Sequence, residues 1–260
     1  MDLPLVSVEI VQRVLICLVR VVALFASMPV FSSGQTPARV KLGLAILVTF
    51  LIFPLVDFTL PENTFAPVPL ALLVANESLM GIMMGFMSRL VFTAVEFGGT
   101  IVGYQMGFAA ANVYDPQNQH QVSLMSQFQN VIAILVFLAV DGHHIFIRVL
   151  ADSYVLAPPG MLDFSGQVVP YIMELSSQMF VLAVRFSAPV LAVLLLSGLV
   201  LGLMSRIFPQ LNVFMLSFPI NIGLSFVILG LTMNIVVTLL GREFTGLADQ
   251  FHQFFENIRE

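Results

Sequence analysis

Six ionisable side chains interrupt stretches that are otherwise hydrocarbon: Arg20, Glu77, Arg89, Glu96, Glu174 and Arg185. On insertion scales each costs roughly 2.5–3.5 kcal/mol at the centre of an apolar helix, so each needs a partner or water. Such groups can relay protons or ions, or they can pair between helices or subunits. Arg89 and Glu96 are seven residues apart and therefore about 20° from sharing one helical face. Arg13 and Arg20 have the same spacing, and Glu174 and Arg185, eleven apart, are nearly aligned as well. No site gathers several carboxylates, so pairing is the preferred reading.

A second constellation is Asp141-Gly-His143-His144. Carboxylate and imidazole donors are metal ligands, but adjacent histidines on a helix point about 100° apart. No HExxH pattern or second ligand cluster accompanies them. A turn or a helix-end hydrogen-bonding site is the preferred reading, and the sequence assigns no metal, cofactor or catalytic residue. There is no GxxxxGK[ST] phosphate loop, which excludes nucleotide hydrolysis by that route.

The third constellation is a polar island, Tyr104 to Asn130. Between Asn112 and Gln121 it carries Tyr114, Asp115, Pro116, Gln117, Asn118, Gln119 and His120. Met106, Gly107 and Phe108 lead into it. A proline-broken polar backbone cannot face lipid, where each free N–H or C=O costs several kcal/mol (order of magnitude). It must be wrapped by protein, line a water-filled cavity or sit at an aqueous surface, and the mouth or throat of a pore fits best.

The elements that must hold these groups are membrane helices. Of 260 residues 58% are hydrophobic and 10% charged, against about a quarter charged in a soluble domain. Apolar segments run over 14–31, 40–56, 68–111, 128–140, 168–205 and 211–240. About six helical elements are expected, some kinked or broken, with Pro189 and Pro219 inside the last two segments. Arg39, Lys41 and Arg206 mark cytoplasmic connections, and Asp57 and Glu62 an outer one. With Asp2 and Glu9 ahead of Arg13, the N-terminus is expected to be retained rather than cleaved as a signal peptide. One lysine and a net charge of −5 leave no basic footprint for nucleic acid. The single Cys17 lies in an apolar run and reads as a packing thiol.

Glycines recur at helix-packing intervals: Gly81/Gly85, Gly99/Gly103/Gly107 and Gly198/Gly202. Met80, Met83, Met84 and Met87 beside the first pair read as core packing. After Arg242, Phe244, Leu247, Phe251, Phe254 and Ile258 form an amphipathic stripe. Docking to a partner is the expected use of that stripe.

The ordered set of Arg20, Pro29 and Pro37-Ala-Arg39, then Gly103-Tyr-Gln-Met-Gly-Phe running to Asp115-Pro116, then Asp141-Gly-His-His, then Arg206-Ile-Phe208-Pro209-Gln210-Leu-Asn212 resembles the FliR family. That family is the R component of the flagellar type III protein-export gate, related to the injectisome T component. The resemblance spans essentially the whole chain. It implies an all-α membrane protein with a P-like part (1–167), a Q-like helical hairpin (168–241) and an amphipathic C-terminal helix (242–260). It also implies assembly with P and Q components into a pore in the bacterial inner membrane, at the flagellar basal body, reaching toward the periplasm. The B component would lie at the cytoplasmic mouth near Arg206 to Asn212, with the A component beneath. The family's plug would fall on residues 106–122, and unfolded flagellar proteins would be the cargo. An injectisome gate subunit is the near alternative. Further off are a small-solute secondary transporter and a membrane metalloenzyme built on Asp141, His143 and His144.

Overall fold

The computed structural model describes residues 8–29, 37–56, 58, 60, 66–107, 123–161, 166–210 and 212–259. Among them seven helices occur and no strands: α1 (Val8–Ser27), α2 (Ala38–Ile52), α3 (Pro67–Met106), α4 (Leu124–Ala139), α5 (Gly142–Leu156), α6 (Val168–Ile207) and α7 (Val213–Arg259). Five are long and apolar enough to cross a membrane, and α4 with α5 supplies a sixth if that bent pair is one span. The protein is an all-α membrane protein; six of its helices fall on the expected apolar segments, and α5 is a seventh that those segments did not include.

Local chemistry sets the ends. Pro37 precedes α2, and Pro54 closes it in a short 3₁₀ turn. Pro67 and Pro69 open α3, where missing N–H groups cost nothing. Gly107, at φ +92°, ends α3 in the left-handed region that favours glycine. Asn212 Oδ1 accepts the Met215 N–H at 3.2 Å and caps α7. Pro189 and Pro219 lie within α6 and α7 without ending either. The tail expected as a separate helix is instead continuous with α7, which runs for 47 residues.

The chain forms two compact units, each discontinuous in sequence: residues 1–90, 141–176 and 245–260, and residues 91–140 and 177–244. The core of the first unit holds Ile16, Cys17, Val21, Leu24, Met80, Met84, Phe146, Leu150, Leu247, Phe251 and Phe254, all buried. Phe251 meets Phe146 edge-on at 5.5 Å. Tyr171 Oη donates to Gln250 O at 3.0 Å. The amphipathic stripe of the tail is therefore buried within the chain, Phe251 against Phe146 of α5 and Phe244 against Phe92 of α3 and Phe137 of α4, rather than held open for a partner. Its periodicity reports a buried face but not what buries it.

The second unit packs Phe92, Phe137 and Phe244 against one another, with ring centroids 5.1–5.7 Å apart. A further cluster joins Val102 and Met106 of α3, Met125 of α4, Val190 and Leu194 of α6, and Leu229 of α7.

Candidate functional site

In the first unit, Arg20 of α1 faces Glu77 of α3. Nε donates to Glu77 Oε2 at 2.7 Å and Nη2 to Oε1 at 3.1 Å. Neither side chain is exposed at all. Nη1 donates to Ser153 O at 3.0 Å and to Ser153 Oγ at 2.9 Å, and Nη2 also donates to Ala157 O at 3.0 Å. These bonds use all five guanidinium donors. The Tyr154 ring lies under the guanidinium carbon at 4.3 Å and sends its own hydroxyl to Cys17 O at 3.0 Å.

The carboxylate is equally well served. After α5 the sequence Pro158-Pro159-Gly160 makes a turn, with Gly160 at φ +87° and Met161 N–H bonded to Pro158 O at 3.2 Å. Glycine at that corner is what such a turn requires. The turn presents Gly160 N–H to Glu77 Oε1 at 3.2 Å. A buried ion pair repays its desolvation only when the geometry is good and the remaining hydrogen-bonding capacity is filled. Here the geometry is good and most of that capacity is filled, so the pair pins α1, α3 and α5 into one register.

Close helix approach makes room for the pin. A side chain at Gly81 would run into Arg20 O and come within 2.7 Å of Ala23 Cβ, and one at Gly85 would run into Ser27 Oγ. Met80, Met84 and Met87 fill the core beside them, with Met83 partly exposed.

In the second unit the described residues reach the two shoulders of the polar island. Met106 and Met125, just inside each shoulder, are buried in the same cluster. Gly107 N–H bonds Tyr104 O at 3.0 Å. A Cβ on Gly107 would sit 2.5 Å from Phe218 Cδ1. On the other shoulder, Ser123 begins α4, whose polar side faces the glycines of α3. A Cβ on Gly99 would come within 2.7 Å of Ser126 Cα and 2.8 Å of Gln129 Oε1, and one on Gly103 would meet Ser123 Oγ. The oxygens of the Ser123, Ser126 and Gln129 side chains are buried without a hydrogen-bond partner among the described residues. This glycine–serine seam is polar where ordinary helix packing is apolar.

Phe108, Asn112, Tyr114, Asp115, Pro116, Gln117, Asn118, Gln119, His120 and Gln121 lie outside the described residues. Arg89, Glu96, Glu174 and Arg185 are exposed on the chain, and Arg185 lies within electrostatic reach of Glu243. Gly198 and Gly202 have open space where a Cβ would go, so this chain makes no close helix contact there. Arg206 in the last turn of α6, and Phe208, Pro209, Gln210 and Asn212 beyond it, are exposed. Sequence reasoning missed Ser153, Tyr154, Ala157 and Gly160 around the ion pair. The available signal was Pro158-Pro159-Gly160, a turn sequence that does not reveal the carboxylate it serves.

Residues 11–247 match the family model for bacterial export proteins, family 1. Three similar proteins, each named flagellar biosynthetic protein FliR, come from Bacillus subtilis, Escherichia coli and Pectobacterium carotovorum. The first is 31% identical over 241 residues, 92% of each chain. The second is 32% identical over 239 residues, 89% of this chain and 90% of the relative. The third is 32% identical over 234 residues, 89% and 88%. Such agreement across nearly the whole length of both chains identifies shared descent: the chain belongs to the FliR family of bacterial export proteins.

Proposed function

We propose that this chain is a core subunit of the flagellar type III export gate in the bacterial inner membrane. Its role is structural rather than catalytic. With P and Q components it builds a pore for unfolded flagellar proteins, and residues 106–121 plug the lumen when no cargo is present. Relatives named for flagellar biosynthesis support the flagellar reading over the injectisome one.

The single observation that carries the plug reading is the anchoring of both shoulders. Met106 and Met125 are buried together, with Gly107 turning the chain out of α3. A segment that leaves and returns through one buried cluster can be displaced without unravelling the helices that carry it. Its Gln and Asn side chains exchange hydrogen bonds with water or with a passing chain at little net cost.

The assembly reading rests on what the chain leaves uncovered. Leu195, Leu199, Val200 and Leu203 are exposed on the face of α6 beside Gly198 and Gly202, and Phe226, Leu231 and Ile235 are exposed on α7. P and Q helices cover these faces in the assembled gate, which reaches toward the periplasm. The P-like part is 1–167 and the Q-like hairpin 168–241. The B component engages the turn at Arg206 to Asn212 on the cytoplasmic side, and the A component lies beneath. Co-expression with P and Q components tests this. A stable multi-subunit ring containing the chain is expected; a chain that purifies alone, with P and Q present and unbound, contradicts it.

A further inference from the structure

Asp141, His143 and His144 each offer a donor atom, and the three atoms lie within 4.8 Å of one another. Their convergence comes from the start of α5. Asp141 is the one non-glycine residue with positive φ among those described, at +55°. Its backbone oxygen accepts the first helical bonds, from His144 N at 2.9 Å and Ile145 N at 3.3 Å. Its carboxylate makes no capping bond and instead stands 3.4 Å from His144 Nδ1. The two imidazoles do not diverge as neighbours on a regular helix would; their centroids are 4.2 Å apart. His143 Nδ1 is buried and has no hydrogen-bond partner among the described residues.

Two imidazoles and one carboxylate form a borderline donor set, suited to zinc, nickel, cobalt or copper rather than to magnesium or calcium. Around a tetrahedral zinc the donors stand about 3.3 Å apart. The Asp141 and His144 side chains are 73% and 66% exposed and can close the remaining gap by rotation. We propose that Asp141-Gly-His143-His144 is a divalent transition-metal site, with water completing the coordination shell. The positive end of the α5 dipole opposes a cation there and the carboxylate offsets it, so Asp141 is as necessary as either histidine.

The test uses the full-length chain without an affinity tag, in detergent, with Co²⁺ as the spectroscopic probe and Zn²⁺ as competitor. One equivalent of Co²⁺ with absorption bands of low-coordinate cobalt, displaced by Zn²⁺, is expected. His144→Gln changes only an exposed side chain, and Asp141→Asn keeps a residue that tolerates positive φ; each is expected to weaken binding at least tenfold. His120→Gln combined with His252→Gln is expected to leave binding unchanged. The proposal is overturned if the wild type takes up no more metal than a His143→Gln/His144→Gln variant of unchanged helicity.

Discussion

Arg20 and Glu77 are 57 positions apart in sequence, yet their side chains meet in two hydrogen bonds with neither exposed. A membrane helix tolerates an arginine only where its charge and all its donors are answered, and here α3, α5 and the turn after α5 answer them together. Removing one partner strands the other. Arg20→Met or Glu77→Gln is expected to cost about 3–5 kcal/mol. Replacing both by apolar residues should recover much of that loss. A double-mutant cycle on unfolding of the purified chain checks it, and additive losses would contradict the pairing.

The glycines divide into two kinds. Gly81→Val drives a side chain into the backbone at Arg20 O, which cannot move aside, and overpacking of this sort costs about 1–3 kcal/mol. Gly198→Ala and Gly202→Ala meet open space and should stabilise the isolated chain by up to about 1 kcal/mol each through helix propensity. Thermal unfolding of the three variants separates the classes.

Gly107 carries two independent constraints, a positive φ and the ring of Phe218. Gly107→Ala should destabilise the chain by about 1–2 kcal/mol. Phe218→Ala in the same chain should relieve the steric part and leave the backbone strain. Full recovery in the double variant would show that φ is not the cause.

The tail acts as core. Phe251 is fully buried and packs on Phe146, so Phe251→Ala is expected to cost about 3 kcal/mol. Exposed His252 on the same turn should tolerate alanine within about 0.5 kcal/mol. Steady-state levels in membranes, followed by unfolding of purified protein, measure both.

What the sequence revealed and what it hid follow from the reach of periodicity. Apolar runs gave the helices, because hydrophobic length is a local property. The need of Arg20 and Glu77 for partners was equally legible, since the cost of a charge in an apolar helix is local too. Their mutual choice was not: spacing aligned Arg13 with Arg20 and Arg89 with Glu96, whereas the real pair joins different helices. Periodicity reports a face, never the element across from it. The same limit governs the stripe from Phe244 to Ile258, which was plain as a pattern but turned out to be covered from within the chain. At Asp141 the missing information was side-chain placement at the start of α5, where two imidazoles that helix spacing alone would separate have centroids 4.2 Å apart.

The central claim is a plug held at both shoulders inside a shared conduit. Its most direct measurement is small-ion conductance through the assembled complex with P and Q components, after residues 108–121 are replaced by a Gly-Ser sequence of equal length. Both methionine anchors and Gly107 stay in place. A closed resting pore that becomes leaky on replacement is the expected result; conductance indistinguishable from that of the unaltered complex would contradict the account.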